Sequence, residues 1–162
     1  MITQAMPHFL CDEMLGRFAR YLRAAGYDTT LASGGMADRD LLALAAHEHR
    51  LFLTCDRGIA EHKAARERAI VLPRASLDDL ARELTRIAHV RWLRAPFTRC
   101  LVDNTPLEAV ASHHRERVPH DVAMADARFC PGCGRVYWAG SHHRRMQRRL
   151  EAWAAGRFGE AS

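Results

Sequence analysis

The sequence predicts an α/β fold in which a parallel sheet is flanked by helices and followed by a small metal-knuckle module and a terminal helix. Three observations carry that prediction. Through residue 96, apolar runs of four to five residues alternate with helical patterns of about ten or more, as crossover-connected parallel strands require. After Ala95-Pro96 the composition shifts towards cysteine and histidine, and helical periodicity fades until Ser141. From Ser141 to Trp153 a basic amphipathic helix returns.

The elements follow in order. His8–Cys11 reads as a strand, and Glu13–Ala25 as a helix ended by Gly26. Asp28–Ala32 is the second strand, and a Ser-Gly-Gly turn leads into a helix over Arg39–His49. Leu51–Thr54 is the third strand, Arg57–Arg66 a helix, and Ala69–Leu72 a fourth strand stopped by Pro73. Ser76 with Asp79 forms a capping box opening a helix towards Arg94. The right-handed crossover rule places these helices on both faces of the sheet. Two units are expected, residues 1–96 and residues 97–162, the second including the basic C-terminal helix.

Composition narrows the function classes. The 162 residues carry 24 Lys+Arg against 19 Asp+Glu, a formal charge of +5, with a pI near 9.3. Lys63 is the sole lysine, so arginine supplies nearly all the positive charge. Guanidinium forks suit bidentate phosphate contacts, although a coding bias that enriches Arg and Ala together explains the total equally well. No apolar run approaches membrane-spanning length, and Met1–Pro7 lacks the basic and apolar pattern of a secretory leader. A cytoplasmic protein with no membrane partner is expected. Five cysteines, an odd number, then argue for metal or thiol chemistry over a disulfide framework.

Asp12 follows the first strand, Asp38 opens the second helix and Asp56 follows the third strand. Ligands of open parallel sheets bind outside the carboxyl ends of strands, where Asp12 and Asp56 should meet. Clustered carboxylates need a neutralising cation, which Mg²⁺ or Mn²⁺ supplies through oxygen ligands. Asp is also a favoured N-cap, and all three precede helices, so capping is the competing explanation for each. Asp40 can stand in for Asp38, and Glu13 can add an outer ligand; spacing does not choose. Cys11 and Cys55, directly before Asp12 and Asp56, read as small buried hydrophobes.

The run from Phe9 to Asp28, FLCDEMLGRFARYLRAAGYD, resembles the opening of the Mut-seven C-terminal RNase domain family, a PIN-like nuclease fold with a C-terminal zinc ribbon. Asp38–Ala45 (DRDLLALA) and Leu53–Arg57 (LTCDR) resemble its next two acidic motifs in order, and Cys130–His142 (CPGCGRVYWAGSH) its closing signature. The likeness runs from about Phe9 to Leu150. It implies metal-dependent RNA hydrolysis, with Asp12, Asp38 and Asp56 as both catalytic residues and Mg²⁺ or Mn²⁺ ligands. For the fourth acidic position common in PIN nucleases only Asp78 and Asp79 offer themselves, which leaves one metal or two open.

Cys130-Pro-Gly-Cys133 is a half-site for zinc, two thiolates chelating one ion across a tight turn. The family pairs it with a second Cys-x-x-Cys, but this chain reads Cys100-Leu-Val-Asp103. Three readings stay open. Cys100, Asp103, Cys130 and Cys133 bind zinc together; His113, His114 or His120 supplies the fourth ligand; or the knuckle is metal-free and held by packing.

On the first helix Arg17, Arg20 and Arg23 cover an arc away from the apolar side formed by Leu15, Phe18, Ala19 and Leu22. On the last, Arg144, Arg145, Arg148 and Arg149 oppose Met146, Leu150 and Trp153. Such stripes are candidate RNA-backbone contacts or plain solvated faces. Tyr137 and Trp138 are candidates to stack on unpaired bases. The expected function is a metal-dependent ribonuclease with RNA as partner. The alternatives are a non-catalytic RNA-binding module of a processing or ribosome-associated assembly, a toxin-like PIN nuclease controlled by a protein partner, and a DNA nuclease.

Overall fold

Strands β1 (Phe9–Cys11), β2 (Thr29–Leu31), β3 (Leu51–Thr54) and β4 (Ala69–Val71) pair into one wholly parallel sheet in the order β2-β1-β3-β4. The structure, a computed structural model, describes residues 5–159. Helix α1 (Gly16–Ala24) connects β1 to β2, α2 (Asp38–His47) connects β2 to β3, and α3 (Leu77–Ala88) follows β4. The second half adds β5 (Glu108–Ala109), β6 (Arg128–Phe129) and β7 (Val136–Tyr137), an antiparallel sheet in that order, and ends in α4 (Ser141–Ala154).

Strand alternation divides the core. Phe9, Cys11 and Leu53 pack with α1, α3 and α4, whereas Leu10 and Phe52 pack with Leu41, Leu42 and Ala45 of α2. The helices therefore cover both faces, as right-handed crossovers require when the chain steps from β1 to β2 and then back past β1 to β3. The larger core crosses residue 96 without a break. Leu101, Met146, Leu150 and Trp153 belong to it, and the Trp153 ring lies 4.7 Å from Trp92 and 5.1 Å from Tyr21.

Two elements differ from expectation. Arg57–Arg66 is not one helix but two 3-10 stretches, Arg57–Glu61 and Lys63–Ala65, separated by extended His62. Gly58 disfavours a helix there, and only Ile59 and Ala65 are buried, too far apart to form a helical stripe. The helix opened by Ser76 ends at Ala88 rather than near Arg94, because His89 turns left-handed (φ 52°) and Val90 and Trp92 enter the core. The capping box is as expected: Ser76 Oγ accepts the Asp79 N–H at 3.2 Å and donates to Asp79 Oδ2 at 2.7 Å. Gly26 ends the turn after α1 with φ 94°, and a Cβ there would run into the Ala95 carbonyl.

The Cys100–Thr105 loop is docked on the open edge of the sheet, at β2. Asn104 accepts the Thr29 N–H at 2.9 Å and donates to Asp28 Oδ1 at 2.7 Å, while Arg50 also reaches Asp28 Oδ1 at 2.7 Å. Beside them Arg23 donates to the carbonyls of Thr29 (2.9 Å), Leu101 (3.1 Å) and Val102 (3.0 Å). This corrects the expectation that Arg23 meets RNA. Each three-residue step from Arg17 falls about 60° short of a full turn, so Arg23 has rotated about 120° round the helix into the core. Burial pulls its pKa below the ordinary value. Replacing Arg23 with Met leaves three carbonyls without their donor, and a loss of about 3 kcal/mol in urea-unfolding stability is expected. A change below about 0.5 kcal/mol, the size of an ordinary surface substitution, would show that the strut does not bind the two halves together.

Candidate functional site

The chain steps one way from β1 to β2 and the other way from β1 to β3, which makes the β1/β3 boundary the topological switch point of the sheet. At such a point the connections leave in opposite directions and open a crevice outside the strand ends. Asp12 and Asp56 stand there, on the residues following β1 and β3. Their link is the buried Thr54 hydroxyl, which donates to Asp12 Oδ2 at 2.9 Å and accepts the Asp56 N–H at 3.1 Å.

Capping and openness coexist at this edge. Asp12 Oδ1 accepts the Glu13 N–H and Asp56 Oδ1 the Gly58 N–H, each at 2.8 Å. Asp38 is different: Ala37 is the N-cap, Asp38 is the first residue of α2, and its carboxylate accepts no hydrogen bond among the described residues. Glu13 leans towards the Ser33-Gly34-Gly35 turn that leads to α2, since a Cβ on Gly34 would lie 2.5 Å from Glu13 Oε2. These are hard oxygen donors of the kind Mg²⁺ and Mn²⁺ take. Asp78 and Asp79 do not join them. Asp78 accepts the Trp153 indole N–H at 2.7 Å, and Asp79 is held by Ser76 and Arg82. Both anchor α3.

The second centre is tighter. Ligand atoms of Cys100, Asp103, Cys130 and Cys133 all lie within 4.8 Å of one another, and no other such group of three or more occurs among the described residues. His113, His114 and His120 lie outside it, and His114 instead stacks on Phe129 at 4.4 Å. Cys100 Sγ and Cys133 Sγ are 3.7 Å apart. Two thiolates on one tetrahedral ion with bonds of about 2.3 Å would be about 3.8 Å apart, so the spacing suits a metal. Cys130 Sγ lies 3.4 Å from Asp103 Oδ1 and 3.5 Å from Oδ2. Gly132 permits this approach, because a Cβ there would sit 2.7 Å from Asp103 Oδ2. The group can hold a metal ion.

Its electrostatics are uneven. Burial pushes the Asp103 carboxyl up, but hydrogen bonds from the Thr105 N–H and the neighbouring thiols outweigh it and hold the group well below the carboxylate range. Burial pushes the Cys130 thiol up to about 11, whereas for Cys133 the contacts with Arg135 overcome burial and draw the thiol down. Tyr137 Oη, 3.0 Å from Cys100 Sγ and accepting the Leu101 N–H at 3.2 Å, braces the cluster. Burial pushes Cys11 up to about 12, as befits an inert packed thiol.

The arginines of α1 and α4 sort into four groups. Arg23 is a buried strut. Arg144 donates to the Ala139 carbonyl at 2.7 Å, and Arg148 is exposed. Arg17 and Arg20 of α1 converge with Arg145 and His142 of α4 on a single pocket of about 270 Å³, completed by Tyr21 and Met146. That convergence was hidden in the sequence, because two helices far apart in the chain supply it. Arg149 instead packs over Tyr21 and Trp153 and lies 3.6 Å from Asp78.

A family model described as the Mut7-C RNAse domain matches residues 7–150. No curated protein and no solved structure matches the chain.

Among the described residues, the Thr54 hydroxyl is the group that hydrogen-bonds to both strand-end aspartates. Thr54→Val should cost about 1–2 kcal/mol in thermal or urea unfolding, by orphaning the Asp56 N–H and one Asp12 oxygen. A variant as stable as the parent would show that the bridge does not hold the edge together.

Proposed function

Because the chain belongs to the Mut7-C RNAse domain family over nearly its whole length, we propose that it is a metal-dependent ribonuclease acting at the β1/β3 switch point. The observation that carries this reading is the placement of Asp12 and Asp56 at the carboxyl ends of adjacent parallel strands, with the Thr54 hydroxyl bonded to the Asp12 carboxylate and the Asp56 N–H. Asp38, whose carboxylate has no capping duty, completes the ligand set from the N-terminus of α2. Bound Mg²⁺ or Mn²⁺ supplies Lewis acidity and a nucleophile competent at neutral pH. The protein's part is to hold two carboxylates in register by the β1–β3 pairing, with Asp12 oriented by the Thr54 hydroxyl and Asp56 by the Gly58 N–H. Arg17, at the start of α1, lies five residues from Asp12 and offers a cation to the RNA backbone on the substrate side.

For the second centre we propose structural zinc held by Cys100, Asp103, Cys130 and Cys133. Three thiolates and a carboxylate are an accepted tetrahedral set. All five cysteines are free, which suits a cytoplasmic, reducing setting. No helix among the described residues is long and apolar enough to cross a membrane.

A second reading, an RNA-binding module without catalysis, draws on one observation. The carboxylates of Asp12, Asp38 and Asp56 do not gather as closely as the cysteine group does. Metal-stimulated cleavage separates the two. With defined RNA oligomers and Mg²⁺ or Mn²⁺, the parent should cut, and Asp12→Asn should fall about 10²-fold or more while still binding RNA. Equal rates for parent and variant, with contaminating nuclease excluded, would sink the catalytic assignment. Elemental analysis of tag-free protein should find about one zinc per chain, lost in Asp103→Ala and retained in Asp103→Cys. Zinc far below one equivalent in the parent would reject the structural site.

A further inference from the structure

Two cavities meet at His142. The first is the pocket of about 270 Å³ that holds Arg17, Arg20 and Arg145. None of these three guanidinium groups has an ion-pair partner among the described residues, although Arg39, Arg50, Arg82, Arg86 and Arg149 all do. The second cavity, about 360 Å³, lies beside the metal module and is lined by Phe97, Leu107, Tyr137, Trp138 and His143, with Arg99 among its polar groups. Its volume falls within the range of about 300–1,000 Å³ typical of small-molecule sites. His142 lines both.

The walls of the second cavity are chemically specific. Trp138 is 39% exposed, a large aromatic left uncovered, whereas its neighbour Tyr137 is engaged with the cysteine cluster. The Phe97 and His143 rings meet with centroids 3.8 Å apart and planes tilted by 33°, and His143 Nδ1 is buried without a hydrogen-bond partner among the described residues. An apolar, aromatic chamber with one unpartnered ring nitrogen shares the His142 wall with a chamber whose three guanidinium groups have no ion-pair partner among the described residues. That pairing complements a nucleotide: a planar base for the first and a phosphate for the second. The arginine pocket follows the acidic edge closely in the chain, since Arg17 sits on the first turn of α1, five residues after Asp12, and Arg20 one turn further on.

We propose that these two cavities form one subsite for a nucleotide of single-stranded RNA, with its phosphate on Arg17, Arg20 and Arg145 and its base beside Trp138 in the cavity of Phe97 and His143. The inference rests on the ribonuclease reading for its choice of RNA. It adds a defined path, from the switch-point aspartates along the α1–α4 seam to the metal module. The occupant must be unpaired, because a base held in a duplex cannot enter an aromatic chamber. The module then has a recognition role: it supplies the wall that reads the base, and the first half of the chain supplies most of the charge that holds the backbone.

The test compares two fluorescein-labelled probes of equal length, an octanucleotide RNA and its abasic counterpart, by anisotropy without added Mg²⁺ or Mn²⁺. The parent should bind the base-bearing probe about tenfold or more tightly. Trp138→Ala should erase that preference and leave the salt dependence unchanged. Arg145→Ala should weaken binding of both probes and lower the slope of log affinity against log salt by about 0.7. Leu107→Phe, which fills the cavity from another wall, should reproduce the loss of base preference in a protein whose melting temperature confirms folding. Equal affinity of the parent for both probes overturns the subsite, as does a base preference that survives both cavity variants. Cleavage measured separately keeps the two readings apart. Base-dependent binding without cleavage upholds the subsite and removes the nuclease; cleavage without base dependence does the reverse.

Discussion

The guanidinium of Arg23 is the hinge on which this architecture depends. It is 6% exposed and bonds three main-chain carbonyls, one on β2 and two on the loop that carries Cys100 and Asp103. An arginine cannot shed its charge at neutral pH, so burial is tolerable only where carbonyl dipoles surround it. Those dipoles come from segments more than seventy residues apart, and satisfying the cation therefore fixes their relative position. Asn104 completes the dock by accepting the Thr29 N–H of β2, on an edge that would otherwise be open to another strand.

That dock has consequences for chemistry. The sheet places Asp12 and Asp56 at its switch point, and the loop docked on β2 brings Cys100 and Asp103 to the group that can hold a metal ion. Asp103 fits that group despite being a carboxylate. It accepts the Thr105 N–H at 3.0 Å and faces Cys130, and these contacts keep it ionised. Gly132 leaves the space in which that carboxylate sits. A carboxylate beside three cysteines is thus accommodated by its surroundings.

The places of the candidate residues in the fold were partly legible in the chain, and the limits were physical. Strand ends are set by local signals, so the sequence alone places Asp12 and Asp56 at one edge of a parallel sheet. Their capping role and their ligand role were indistinguishable in sequence, because one carboxylate has two oxygens. The structure shows one Asp12 oxygen on a cap and the other on Thr54, and it frees Asp38 from capping altogether. The Thr54 bridge itself had a legible trace, a threonine ending an apolar strand one residue before Cys55-Asp56, but only β1–β3 adjacency gives it a partner. Arg57–Arg66 failed as a helix for the opposite reason: its local composition permits helix, yet it has no stripe to bury.

By itself the sequence determined the fold class, the strand positions, the capping box at Ser76 and the residues able to ligate metal, because each depends on interactions within a few residues. Tertiary structure alone decided that Arg23 is a strut while Arg17 and Arg20 face a pocket. It also decided that Asp103 rather than a histidine completes the cysteine group, and that α4 shares the core of the parallel sheet. These outcomes depend on which distant surfaces meet. Periodicity tells which side of a helix is apolar, but not which charge a neighbouring helix will bring beside it.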